Sequence, residues 1–311
     1  MPDLSVKLGP LVLKNPILTA SGTFGYGEEY RSFVHLNRLG GIVTKSVTHL
    51  PRAGNPPLRV TEVPGGMLNS IGLANVGVEA FLTEKLSFLQ SLKTVVIVNV
   101  AGNSIEEYEN VVARLSDVPA IAAFEINLSC PNVEEGGLTF GKNPVEVRRM
   151  TERLRQRTRK PLIVKLTPNV TSIGDLAEAA ADGGADILSA INTMVGMAVD
   201  VKTRRPVLGR VTGGFSGPGL KAIALAKVFE VTRRVSLPVI GVGGIFTVED
   251  VLEYLIVGAS AVEVGTANFV DPTITEKLVN GLEKYCTDNG IEKIESVIRS
   301  LNVDEKEPVL R

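Results

Sequence analysis

Residues 120–132 read Ala-Ile-Ala-Ala-Phe-Glu-Ile-Asn-Leu-Ser-Cys-Pro-Asn, a mainly apolar run that breaks after Asn127 into a turn that Pro131 forbids from continuing as sheet. Working outward, similar runs stand at 17–21, 41–45, 95–100, 122–127, 162–165, 187–191, 239–243 and 261–264. Each reads as a strand covered on both faces, then a polar or Gly-rich break, then a longer stretch with helical spacing. Residues 78–89, 144–157 and 248–257 are such stretches, the first following Gly77 and the last opening at Thr247 with Asp250 three positions on, which is capping chemistry. Eight alternations in 311 residues favour an α/β fold of the (β/α)8 TIM barrel type over an open doubly wound sheet. Residues 4–13, two short runs about Gly9-Pro10, read as an N-terminal β-hairpin. No linker divides the chain, so residues 1–311 are expected to form a single barrel domain, with loops inserted at the C-terminal face of the strands and a frayed tail at 302–311.

Composition excludes several classes. Lys plus Arg number 33 against 34 for Asp plus Glu, scattered along helical stretches, so no basic stripe points to nucleic acid. No apolar run approaches the roughly 18 residues of a membrane span, and nothing resembles a signal peptide; the expectation is a cytoplasmic protein off the membrane. His35 and His49 are isolated, so no metal is expected. Two cysteines, Cys130 and Cys286, cannot hold a four-cysteine cluster. Cys130 lies just past an apolar run, between a hydroxyl and carboxamides, where a reactive thiol fits better than a packing one.

Chemistry in a barrel sits at the C-terminal ends of the strands. Those ends carry Ser21, Lys45-Ser46, Asn99, Asn127, Lys165, Asn192-Thr193, Gly243-Gly244 and Gly265-Thr266. Turn formation accounts for Gly, Ser or Asn at any one end, but not for two lysines closing apolar strands. Two ammoniums over one mouth are costly unless an anionic or electron-rich ligand lies between them. The glycines after the last two strands suit a phosphate, and the Gly-rich stretch 213–219 would add amides on that side. A dinucleotide fingerprint fails there because its third glycine falls at Phe246, so a mononucleotide, with flavin mononucleotide in view, is the expected ligand.

In combination, the 127–132 motif, Lys45-Ser46, Asn69-Ser-Ile-Gly-Leu73, Val164-Lys165-Leu166, Asn192-Thr193, Gly243-Gly244 and Gly265-Thr266 resemble the dihydroorotate dehydrogenase family over about residues 3–285. The resemblance implies a barrel carrying one FMN that oxidises dihydroorotate to orotate in pyrimidine (UMP) biosynthesis. It implies Cys130 as the base that removes the C5 proton while hydride leaves C6. Lys45, Asn69, Ser70, Ile71, Gly72, Leu73, Asn127, Asn192 and Thr193 would bind substrate, carboxamides suiting a ring edge that both donates and accepts. Ser21, Lys45, Ser46, Asn99, Asn127, Lys165, Ile191 and Gly217 would line the flavin, with Gly243, Gly244, Gly265 and Thr266 about its phosphate. Residues 131–140, with Gly136-Gly137 as hinge, would be a lid, the alternative being a static surface loop.

Cys130 separates the chain from the quinone-using branch, whose base is serine. The stretches Pro64-Gly-Gly-Met-Leu-Asn69 and Cys130-Pro-Asn-Val-Glu-Glu-Gly-Gly137 are similar to the soluble class 1 type B subgroup, which is linked to NAD. That likeness implies an iron-sulfur flavoprotein partner carrying FAD and a 2Fe-2S cluster, in a heterotetramer of two plus two about a homodimer core. The alternatives are a fumarate-linked homodimer, a flavin-free phosphate-binding barrel, an enzyme of uracil-like bases, and a non-catalytic scaffold.

Overall fold

The computed structural model describes residues 1–128, 134–135 and 138–303. Eight parallel strands close into a barrel: β1 (Ile17–Thr19), β2 (Gly41–Val43), β3 (Val95–Val100), β4 (Ala123–Asn127), β5 (Leu162–Leu166), β6 (Ile187–Ala190), β7 (Val239–Val242) and β8 (Ala261–Val264). Each pairs with its neighbours in sequence, and β8 returns to β1 through Val262 opposite Ile17. The strands are apolar because both faces are covered, one by the barrel interior and one by helices; all five residues of β5 are buried.

Among the described residues, four of the helices that cover the barrel start where a short polar side chain caps them. In α1 (Ile105–Ser116), α2 (Pro144–Arg155) and α3 (Ile173–Asp182) the side chains of Ser104, Asn143 and Ser172 accept the first free amides. Then come α4 (Lys221–Arg234), α5 (Val248–Ile256) and α6 (Ile274–Asp288). The cap read at Thr247 is a full capping box: Thr247 Oγ1 accepts from the Asp250 amide at 3.2 Å and Asp250 Oδ2 accepts from the Thr247 amide at 2.8 Å.

Three features depart from the expected pattern. Between β1 and β2 the chain forms only two 3-10 turns, Glu28–Tyr30 and Leu36–Arg38, because Gly25 and Gly27 take positive φ where a helix would begin. The helical run expected at 78–89 is present, but its middle, Phe81–Lys85, is a π turn between Gly77–Ala80 and Leu86–Gln90. The insertions after β2 and β6 are not loops alone, because they pair as one antiparallel sheet ordered Met194–Gly196, Gly213–Ser216, Gly66–Asn69, Val60–Val63. The expected hairpin, Val6–Leu8 with Leu11–Leu13, lies under the N-terminal end, where a Cβ on Gly9 would come within 3.3 Å of Ile187 Cγ1. Of the expected frayed tail, residues 302 and 303 carry no regular structure and residues 304–311 lie outside the described ones.

Thr247→Ala removes one half of the capping box and should cost about 1 kcal/mol. A fall in unfolding free energy by that amount, read from the shift of the denaturant midpoint at unchanged slope, is expected; an unchanged midpoint would mean the box does not stabilise α5.

Candidate active site

Strand alternation sends Asn99, Glu125, Asn127, Lys165, Ser189 and Glu263 into the barrel interior. Direct contact settles this, since Lys165 on β5 reaches Glu263 on β8, three strands round, with Nζ 2.7 Å from Oε2. The same ammonium lies 3.2 Å from each oxygen of Glu125. Glu125 also accepts from Asn99 Nδ2 at 2.5 Å and from Ser189 Oγ at 2.9 Å, and Ser46 Oγ donates to Asn99 Oδ1 at 2.5 Å. Lys165, Glu263, Glu125, Asn99, Ser189 and Ser46 are all buried, both glutamates completely.

This cluster corrects one expectation. Lys165 is not an uncompensated charge, because Glu125 and Glu263, each inside an apolar strand, face it. Burial opposes the Lys165 ammonium, but the two carboxyls outweigh it and raise the pKa. Burial likewise works against the Glu125 carboxylate; Lys165 and the hydrogen bonds from Glu263, Asn99 and Ser189 overcome it and hold the group below the usual range. Glu263 goes the other way, pushed well above that range by burial and then by the Glu125 charge. Lys45, half-buried just past β2, forms no ion pair with a described residue, so the need for an electron-rich partner rests on it alone.

Above the cluster, the carboxamides converge. Asn127, the last residue of β4, accepts from Asn192 Nδ2 at 3.2 Å on its side-chain oxygen and from the Tyr108 hydroxyl at 2.7 Å on its carbonyl. Asn192 Oδ1 accepts from the Thr193 amide at 2.7 Å, and Asn169 holds the same turn through the Thr193 carbonyl and the Val195 amide. Asn69 donates to the Gly214 carbonyl at 3.1 Å, and a Cβ on Gly214 would strike Thr193 Oγ1. The segment 69–73 is shaped by two asparagines: Asn55 donates to Ser70 Oγ at 2.9 Å, and Asn75 donates to the Leu73 carbonyl at 2.7 Å, with Leu73 at φ 56. Asn69, Ser70, Ile71, Gly72, Leu73, Asn127, Asn192 and Thr193 are all half-buried, as a wall facing a ligand requires.

On the opposite side, Gly243 and Gly244 take φ 131 and 69 after β7. A Cβ on Gly244 would lie 2.8 Å from the Lys221 backbone nitrogen, so the turn packs against the first residue of α4. Tyr254 supports it from below, its hydroxyl donating to the Gly243 carbonyl at 2.6 Å. Thr266 Oγ1 donates to Ser216 Oγ at 2.8 Å, which joins the end of β8 to the sheet beside Gly217. Of the stretch 213–219, Gly213–Ser216 is a sheet strand, and Gly217 just beyond it takes φ 110. Bare backbone at the ends of β7 and β8 beside a helix N-terminus suits a phosphate, and the amides and buried ammonium between suit a flavin ring, so the residues present fit FMN. Ser21 and Ile191 are buried just beyond the ends of β1 and β6.

Cys130 lies outside the described residues, as do Ser129, residues 131–133, and Gly136 and Gly137; within the stretch expected as a lid, Glu134–Glu135 pairs antiparallel with Leu138–Thr139. Among the described residues, no group of acidic, His and Cys side chains could hold a metal, and no helix is long and apolar enough to cross a membrane. Sequence reasoning missed Glu125, Glu263, Ser189, Asn55, Asn75, Asn169, Tyr108 and Tyr254. Its one available signal was a carboxylate in the middle of each of two apolar strands.

A family model described as dihydroorotate dehydrogenase matches residues 3–286. The chain is 50% identical over 300 residues to the dihydroorotate dehydrogenase B (NAD(+)) catalytic subunit of Geotalea uraniireducens, covering 96% of this chain and 98% of that one. It is 51% identical over 302 residues to the protein of that name from Geobacter sulfurreducens, covering 97% and 99%. Among solved structures, a DHODH from Eimeria tenella in complex with ferulenol superposes with a TM-score of 0.80 at 22% identity, over 96% of this chain and 89% of that one, a likeness of fold.

Lys165→Met leaves two carboxyls buried without their cation and should destabilise the protein by about 3–5 kcal/mol near neutral pH. Since the Glu125 pKa is lowered by folding, its stabilisation is present above the ordinary glutamate value of about 4.3 and is lost as the pH falls through the lower, folded value. Denaturation midpoints of wild type and variant should therefore converge in acid; a gap independent of pH would refute the ion cluster as its source.

Proposed function

The chain belongs to the dihydroorotate dehydrogenase family, and on that premise we propose that it oxidises dihydroorotate to orotate with FMN at the barrel mouth, as a catalytic subunit that passes electrons to NAD through a partner polypeptide. The observation that carries the reading is the convergence, over one buried ammonium, of a glycine turn at Gly243 and Gly244 on one side and the Asn69, Asn127 and Asn192 carboxamides on the other.

When bound, FMN supplies the acceptor for the hydride that leaves C6 of the substrate. The chain's own residues do the rest. Cys130, as thiolate, removes the C5 proton. An unperturbed thiol has a pKa of about 8.5, so reduction should quicken on the alkaline side of neutrality unless the site lowers that value. Asn69, Asn127, Asn192 and Thr193, with the backbone of 70–73, hold the ring by paired donors and acceptors. Asn55 and Asn75 fix that backbone before substrate arrives, so its amides need not reorganise. Lys45 would contact substrate and flavin, and Lys165 would lie under the flavin ring, where negative charge develops on reduction. Ser21, Ser46, Asn99, Ile191 and Gly217 line the flavin, and Gly243, Gly244, Gly265 and Thr266 take its phosphate. Residues 131–140 close over the substrate.

The type B reading rests on relatives whose names specify NAD and a catalytic subunit. With 2 cysteines, this chain has too few thiolates for an iron-sulfur cluster, so FAD and 2Fe-2S belong to the partner, in a two-plus-two assembly about a catalytic homodimer in the cytoplasm.

Anaerobic mixing of the FMN-loaded chain with dihydroorotate should bleach the flavin, and Cys130→Ala should slow bleaching by about 10²–10⁴-fold. Bleaching absent from the wild type with flavin bound would overturn the substrate. Reduction of NAD only after the partner is added supports the type B assignment, whereas reoxidation by fumarate alone would move the chain to the fumarate-linked subgroup.

A further inference from the structure

The cluster beneath the mouth holds two carboxyl groups and one ammonium, all buried. With both carboxyls ionised it would carry a net charge of minus one in a buried place. Removing an unbalanced charge from such an interior is favourable, and the least costly way is to leave one proton on one carboxyl.

Hydrogen bonding says which. Glu125 is built as an acceptor: Lys165 donates to both its oxygens, Asn99 to Oε1 and Ser189 to Oε2. Each of those donors favours the ionised form. Glu263 accepts from Lys165 on Oε2, and its Oε1, fully buried, has no hydrogen-bond partner among the described residues. A carboxylate with one oxygen undonated in an apolar interior is the form the site selects against.

We propose that Glu263 is a neutral carboxylic acid that keeps its proton in the hydrogen bond toward Glu125, and that in this form it is a positioning residue for Lys165, leaving Glu125 as the single anion that balances the ammonium. The opposed pKa directions of the two glutamates agree with this division. The consequence for the reaction rests on the reading of FMN above Lys165. A second anion under the flavin would oppose the negative charge that a hydride brings. A neutral Glu263 keeps the ammonium fixed from the β8 side while adding no such field.

Neutron diffraction from deuterium-exchanged wild-type protein reads the proton directly. Deuterium on a Glu263 carboxyl oxygen and none on Glu125 is expected; deuterium on Glu125, or on neither, overturns the proposal. This measurement needs no flavin, so it stands apart from the cofactor reading, which fails separately if the purified chain cannot be loaded with FMN. The second measurement is the flavin midpoint potential of Glu263→Gln, a variant of the same shape as the neutral acid and unable to ionise. An unchanged potential supports the proposal, and a raised one overturns it, because it would mean that the substitution had removed a negative charge. If Glu263→Gln does not fold, the neutron result alone decides.

Discussion

One ammonium shared between two buried carboxyls sets the terms for the rest of the site. Lys165 ties β5 to β4 through Glu125 and to β8 through Glu263, while Asn99 and Ser189 bring β3 and β6 onto the same carboxylate. Five of the eight strands are thus pinned to one another across the barrel by directional contacts. Apolar packing fills a barrel but tolerates small slips, whereas a buried ion cluster does not, because a displaced partner leaves a charge with nothing to balance it. The side chains just above, Asn127 on β4 and Asn192 beyond β6, are positioned on strands whose relative heights this cluster holds.

Much of the architecture was legible because it is local. Strand position, apolar continuity, the Gly9-Pro10 turn and the Thr247 cap all depend on residues a few positions apart, and all are where the pattern indicated, although β1 and β2 stop two residues short of the runs read at 17–21 and 41–45. The stretch between β1 and β2 was misread because its glycines govern it more than its spacing does. The partners of Lys165 were illegible for a different reason. They stand 40 and 98 residues away, and nothing in the spacing says that β5 and β8 face each other across a closed barrel. A carboxylate within an apolar strand was the visible clue, and it acquires meaning only once the ring is closed.

Of the site itself, strand ends were readable because a barrel places its chemistry there. The supporting residues were not. Asn55, Asn75 and Asn169 act through backbone carbonyls and amides, and an asparagine in a loop reads simply as a turn former. Tyr254 looks in sequence like one more apolar residue on the inner face of α5, yet its hydroxyl supports the turn at Gly243.

The antiparallel sheet over the mouth bears on how such a protein can change over time. Barrel enzymes diversify by exchanging one loop at a time on a constant frame. Here Gly66–Asn69 and Gly213–Ser216, inserted after different strands, are hydrogen-bonded to each other, and Asn69 reaches across to Gly214. Neither segment can be replaced without unpairing the other, so the insertions after β2 and β6 form one heritable module. A graft of new specificity onto this frame would have to carry both.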